Sequence, residues 1–149
     1  RMTGYKRVFF DTAPIIYYLQ KDMNYFSRMK EILFELHRAK TIFVTSDITI
    51  AEYCVYPYRN NHMNLIYALE EFIQISQMEL VHTSRKSAKI SARLRAKYIG
   101  FKTMDALQIA LAIENHCDLL LTNDRQLRQC EEMKCLTVDD FSLMVDMEE

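Results

Sequence analysis

Three short apolar runs, Val8-Phe9-Phe10, Ile42-Phe43-Val44 and Leu119-Leu120-Leu121, are separated by longer stretches whose apolar residues recur at helical spacing. A run without polar alternation has no face suited to water, so each reads as a strand buried on both sides. Leu80-Val81 and Leu136-Thr137-Val138 are weaker strands of the same kind. Phe26, Met29, Leu33 and Leu36 mark one helical face, and Leu65, Ile66, Leu69, Phe72 and Ile73 mark another. From Ala106 to Ile113 the chain is apolar nearly all round, Gln108 excepted, which predicts a buried helix. Buried strands alternating with helices imply an α/β fold with a mainly parallel sheet, and right-handed crossovers put helices on both faces. With only two glycines and two prolines there is no sign of a linker. Arg1, ahead of Met2, is set aside as a leftover, and residues 2–149 are expected to form a single domain.

Charge and cysteine usage narrow the function classes. The formal net charge of -1 points to no partner by itself, but its distribution is uneven. From Val81 to Met104 there is no acid, while Arg85, Lys86, Lys89, Arg93, Arg95, Lys97 and Lys102 all fall there. A basic patch on a neutral protein still attracts a polyanion. From Gln129 to Glu149 the balance reverses, with seven acids against Lys134 alone. Cys54, Cys117, Cys130 and Cys135 lack paired spacing, so reduced, partly buried thiols are expected in preference to a zinc site with His116. The absence of a long apolar run and of a signal-like N-terminus predicts no membrane association and a cytoplasmic location.

Four acids fall at comparable places in this pattern. Asp11 follows the first strand, with Pro14 suited to the first turn of the next helix. Asp124 ends Leu119-Leu120-Leu121-Thr122-Asn123-Asp124. Glu52 is expected about one turn inside a helix capped by Ser46 or Asp47. Asp105 opens the apolar helix, with Thr103 as its expected cap. Taken singly, each acid reads equally well as a cap or a helix-dipole partner. In a parallel sheet, however, all four lie at the carboxyl edge, where ligands bind. Carboxylates crowded there repel one another unless a divalent cation offsets the charge.

Phe10-Asp11-Thr12, Thr45-Ser46 followed by Glu52, Met104-Asp105-Ala106-Leu107-Gln108-Ile109-Ala110 and Leu121-Thr122-Asn123-Asp124 resemble, in order and spacing, the motifs of the PIN-domain family of nucleases. The resemblance spans nearly the whole chain. It implies a three-layer α/β/α domain and metal-dependent ribonuclease activity. Many single-domain members are VapC-like toxins neutralised by a cognate antitoxin, and members commonly form homodimers. The family's four acids match Asp11, Glu52, Asp105 and Asp124 in turn. Its small hydroxylated residues match Thr12 and Thr122. Ala13 departs from the pattern, since many relatives carry Asn or Ser there.

The chemistry expected is hydrolysis of an RNA phosphodiester by water activated on one or two Mg²⁺ or Mn²⁺ ions. Resemblance implies products with a 5′-phosphate and a 3′-hydroxyl. Asp11 and Asp105 are expected as direct ligands, Asp124 as a ligand directly or through water, and Glu52 as the holder of a metal water or the acceptor of its proton. Thr12, Thr122 and Asn123 would orient the carboxylates. A helix over Ser84 to Tyr98, stopped by Gly100, would present Lys86, Lys89, Arg93 and Lys97 as one stripe to RNA phosphates. The usual meaning of such a stripe is a solvated face. The missing acids and the helix's approach to Asp105 favour nucleic acid. Tyr17, Tyr18, Tyr53, Tyr56 and Tyr58 are expected at a core edge or a dimer interface. A non-catalytic PIN-like module that binds RNA or protein is the competing reading.

Overall fold

The computed structural model describes residues 4–141. Five strands form one sheet: β1 (Arg7–Phe10), β2 (Ile42–Ser46), β3 (Glu79–Val81), β4 (Leu119–Thr122) and β5 (Cys135–Thr137). All neighbours pair in parallel, in the order β3-β2-β1-β4-β5. Seven helices connect them: α1 (Thr12–Leu19), α2 (Phe26–Arg38), α3 (Asp47–Tyr53), α4 (Val55–Arg59), α5 (Met63–Ser76), α6 (Arg85–Lys97) and α7 (Thr103–Glu114). A 3₁₀ turn over Arg125–Gln129 joins β4 to β5.

The central strands are buried on both sides, as their unbroken apolar runs require. Phe9, Val44 and Leu120 face a core shared with Leu94 of α6 and Ile109 and Leu111 of α7. Val8, Phe10, Phe43, Leu119 and Leu121 face the opposite core, with Ile15, Met29, Leu36 and Leu69 from α1, α2 and α5. The period of two along each strand thus sorts its residues between two helical layers, which makes a three-layer α/β/α fold. In α7 the small Ala106, Ala110 and Ala112 are fully buried, so the helix lies close to the sheet.

The connections build a crevice. After β1 the chain moves outward through β2 to β3, then crosses back to place β4 on the other side of β1. The winding reverses between β1 and β4, and the loops leaving their carboxyl ends part there. Asp11 follows β1 and Asp124 lies two residues beyond β4, so they flank the same opening.

Two expected boundaries change. The residue capping α7 is Lys102, which offers no side-chain cap, and Thr103 is already helical. Helix α6 ends because Tyr98 turns extended, and not through a left-handed Gly100. Phe101 explains the difference: it is buried, and its ring stacks on Tyr98 at 4.7 Å, which pulls the chain inward at that point.

Candidate active site

Register places the first carboxylate. Phe10 pairs with Leu121, so Asp11 and Thr122 stand side by side one residue further on. The Thr122 hydroxyl donates to Asp11 Oδ2 at 2.8 Å. The Thr12 amide donates to Oδ1 at 2.9 Å, so Asp11 also caps α1. Gln108 Nε2 donates to the same oxygen at 3.2 Å. Three donors fix a carboxylate that is only 8 % exposed and leave Oδ2 with an uncommitted lone pair.

Gln108 is itself held at both ends. Its amide nitrogen also donates to Thr49 Oγ1 at 2.8 Å, and its oxygen accepts from the Ser46 hydroxyl. Each hydroxyl has one proton, which gives the chain of bonds a single direction. Thr49 donates to Thr45 Oγ1 at 2.9 Å, and Thr45 donates to the Phe10 carbonyl at 2.7 Å. This chain ties β1, β2, α3 and α7 together beneath the carboxylates, with every member satisfied. Sequence reasoning gave Thr45, Thr49 and Gln108 no part in holding Asp11, and expected of Ser46 only the α3 cap that it does form. The available signal was Gln108 itself, since one amide on an otherwise apolar helix must find partners.

The other acids are placed more openly. Helix α3 spans two turns, which puts Glu52 near its end, deeper than one turn in. Glu52 is exposed, and its Oε1 accepts the Thr12 hydroxyl. Asp124 caps the 3₁₀ turn by accepting Gln126 N at 3.0 Å, while its own amide donates to Thr122 Oγ1 at 3.1 Å. Asp105 sits in the first turn of α7 and accepts no hydrogen bond among the described residues. The cap readings of Asp11 and Asp124 are therefore correct, and neither excludes a shared site. Asp11, Glu52, Asp105 and Asp124 line a single open pocket of about 460 Å³, together with Thr12, Ala13, Thr122 and Asn123. Asn123 turns its amide to the Tyr17 hydroxyl and not to a carboxylate.

The acids feel one another. Burial, then the charges of Asp11, Asp124 and Glu52, push the Asp105 carboxyl up to about 6, against a small opposing pull from Lys102. Burial also pushes Asp11 up, opposed by the donors from Thr12, Thr122 and Gln108. Even so, among the described residues no three His, Cys, Asp or Glu side chains stand close enough to ligate one ion as placed. That covers the zinc grouping as well: Cys117, Cys130 and Cys135 are free, buried thiols.

The basic stripe on α6 needs one correction. Lys86, Lys89 and Arg93 are exposed and form no ion pair among the described residues. Lys97 instead binds Glu131 at 2.9 Å and Glu132 at 3.0 Å, so its charge is already matched. Glu132, accepting the Tyr98 hydroxyl at 2.7 Å and Lys97, is held down at about 2. Sequence order hid this, because the acids lie more than thirty residues downstream. The tyrosines divide: Tyr53 is fully buried, Tyr17 stacks on Tyr25 at 4.5 Å, and Tyr56 and Tyr58 are more than half exposed. A groove of about 1170 Å³ between α2 and α5 is lined by none of the four acids.

No curated protein of known function matches the chain. Solved structures do. The VapBC2 complex of Rickettsia felis, bound to a DNA fragment from its promoter, superposes with a TM-score of 0.73 at 18 % identity, covering 88 % of this chain and 98 % of that one. A toxin–antitoxin complex from Klebsiella pneumoniae gives 0.66 at 20 % identity, covering 88 % and 97 %. VapC20 of Mycobacterium tuberculosis, a toxin that cleaves the sarcin–ricin loop, gives 0.63 at 15 % identity, covering 85 % and 98 %. At such identities the likeness speaks for the fold alone. Residues 8–132 match the PIN domain family in sequence, and with all four acids inside that span and on one pocket wall, the chain belongs to the PIN-domain family.

Proposed function

We propose that the protein is a divalent-metal-dependent endoribonuclease acting as the toxin of a toxin–antitoxin pair. The observation that carries this reading is the gathering of four carboxylates on one pocket at the point where the sheet's winding reverses. PIN-domain membership supports nuclease chemistry. The toxin and antitoxin complexes of R. felis and K. pneumoniae and the RNA-cleaving VapC20 support the toxin role, the antitoxin partner and an RNA substrate.

The donor set suits Mg²⁺ or Mn²⁺. Both are hard cations that take carboxylate oxygens and retain water. Waters retained by such ions bridge to carboxylates too far apart to ligate one ion directly. Asp11, Asp105 and Asp124 would hold the ion or ions, with Glu52 reaching them through water. When bound, the metal lowers the pKa of water and offsets charge on the phosphoryl oxygens. The chain's own residues do the rest. Thr12, Thr122 and Gln108 fix Asp11 before any ligand arrives. Glu52, on the open side with Oε2 uncommitted, takes the proton of the attacking water. Lys86, Lys89 and Arg93 track the RNA backbone. Tyr56, Tyr58 and Tyr67, each more than half exposed on α4 and α5, support a homodimer face.

The test is cleavage of single-stranded RNA by the purified protein with Mg²⁺ or Mn²⁺, with EDTA, and in Asp11→Asn and Asp105→Asn variants. Loss of cleavage in all three negative arms is expected, and EDTA-resistant cleavage by either variant refutes the assignment. The open spacing of the acids is the one observation favouring a PIN-like module that binds without cutting. RNA binding with neither metal uptake nor cleavage would establish that alternative.

A further inference from the structure

The connection between β4 and β5 holds two thiols that nuclease chemistry does not use. Cys130 ends the 3₁₀ turn that begins after Asp124, and its amide donates to the Leu127 carbonyl at 3.1 Å. Cys135 opens β5, opposite Leu120 of β4, and the Leu120 amide donates to the carbonyl of the preceding Lys134 at 2.9 Å. Turn and strand pack directly against each other. Both cysteines belong to one core cluster with Leu127 and Met133. Of the residues between them, Glu131, Glu132 and Lys134 are exposed while Met133 turns inward. Both sulfurs reach this same short loop: Cys130 Sγ lies 3.7 Å from Glu132 Oε1, and Cys135 Sγ lies 3.5 Å from the Met133 carbonyl oxygen. The two thiols also hydrogen-bond to each other.

The pair is unsymmetrical. The Cys135 thiol, joined by the Met133 and Glu132 amides, holds the Cys130 thiol down at about 7 against burial and the Glu132 charge. The same bond, followed by burial, pushes Cys135 up. The cysteines outside the pair differ from Cys130: burial pushes Cys54 up, and pushes Cys117 up to about 12. Thiolate is the reacting form of cysteine, so Cys130 is the one suited to attack.

We propose that Cys130 and Cys135 are a redox-active pair that a hydroperoxide converts into an intramolecular disulfide, with Cys130 attacking first and Cys135 resolving. With hydrogen peroxide, the Cys130 thiolate attacks one oxygen and the O–O bond breaks. The other oxygen leaves as hydroxide and becomes water with the proton Cys130 had released, and Cys130 is left as a sulfenic acid. Cys135 then gives up its proton, attacks the Cys130 sulfur and displaces hydroxide, which that proton also turns to water. Two thiols are oxidised by two electrons in all, and one peroxide is reduced to two waters. The bond staples the far end of the Asp124 turn to β5, and by closing a loop it removes freedom from the unfolded chain. This assignment stands whether or not the protein cleaves RNA.

The test exposes the whole chain to stoichiometric hydrogen peroxide, alkylates the remaining thiols under denaturing conditions, and maps the products by mass spectrometry of a non-reducing digest. A Cys130–Cys135 linkage that dithiothreitol reverses is expected, with Cys54 and Cys117 recovered alkylated. In Cys135→Ser, dimedone should trap a sulfenic acid at Cys130; in Cys130→Ser it should trap none at Cys135. The oxidised wild type should melt roughly 4–8 °C above the reduced form, and Cys130→Ser should show no such shift. Thiols that all stay free under excess peroxide overturn the proposal, as does a linkage through Cys54 or Cys117 or between molecules. Dimedone on Cys135 overturns the division of roles. An oxidised form melting at or below the reduced one overturns the claim that the pair is already placed to bond. The wild-type map needs no substitution, so a variant that failed to fold would leave it decisive.

Discussion

Asp105→Asn should stabilise the metal-free protein at neutral pH and abolish that gain in acid. Its carboxyl is pushed from 3.8 up to about 6, first by burial and then by Asp11, Asp124 and Glu52. A raised acid holds its proton more tightly in the folded chain than in the unfolded one. Between pH 3.8 and about 6 the folded state therefore binds more protons, so stability falls as pH rises through that window. Above about 6 the cost is fully present; below 3.8 it is absent because both states are protonated. A shift of about two units corresponds to a ceiling of roughly 3 kcal/mol. The side chain is only half-buried and solvent screens part of the repulsion, which reduces the figure to about 1–2 kcal/mol. Asparagine also forfeits the favourable interaction of an acid with the helix N-terminus, worth about 0.3–1 kcal/mol. The net expectation is a gain near 1 kcal/mol at pH 8.

Thermal unfolding in EDTA measures this directly. For a chain of this size, about 1 kcal/mol raises Tm by about 2–4 °C. At pH 3.5 the two proteins should melt together, since residue 105 is neutral in both. Adding Mg²⁺ at pH 8 should raise the wild-type Tm and leave the variant nearly unmoved, because binding to the folded state alone shifts stability. An Asn variant less stable than wild type at pH 8, or a gain that persists unchanged at pH 3.5, would refute the claim that the four acids strain one another.

Gln108→Met keeps the volume but strips partners from Asp11, Thr49 and Ser46; a loss of about 2–3 kcal/mol is expected in chemical denaturation, and a change under 1 kcal/mol would count against the network. Thr122→Val removes a donor that holds the Asp11 carboxyl down, so the acid limb of the pH–cleavage profile should move to higher pH, and an unmoved or downward-shifted limb would contradict it. In salt titrations of RNA binding, neutralising Lys86, Lys89 or Arg93 should each reduce the slope of log affinity against log salt by about 0.7. Lys97→Gln should change that slope least, because Glu131 and Glu132 already match its charge; equal effects at all four positions would remove the distinction.

Much of this molecule was legible in its sequence, for identifiable reasons. Strands β1, β2 and β4 were readable because each carries a run that only burial explains, and they lie at 0 % exposure through most of their lengths; β3 and β5 are shorter and less uniformly buried, and read more weakly. Once strands alternate with helices, the carboxyl edge follows from chirality, and Asp11 and Asp124 follow from the edge. What sequence could not supply was anything decided by contacts across the fold. Lys97 looked like its neighbours on α6 until Glu131 and Glu132 came up beside it. Ser46 caps α3 as one of the two caps expected, and what the sequence did not show is that the helix ends at Tyr53, one residue after Glu52.

Gln108 joins the two kinds of knowledge. Its spacing on α7 showed a polar group on a buried face, which sequence alone could flag as unexplained. Its answer needed four elements at once: an oxygen taken by Ser46 of β2, a nitrogen shared between Thr49 of α3 and Asp11 at the end of β1. The physical consequence is an asymmetry among the acids. Asp11 is fixed by three donors before any cation arrives, whereas Asp105 has none among the described residues and Glu52 has a single hydroxyl. Asp11 is thus the carboxylate most fully fixed by the chain itself, with Asp124 held by the Gln126 backbone amide alone. If the site takes up an ion as proposed, removing Gln108 should weaken that binding even though its amide touches no substrate.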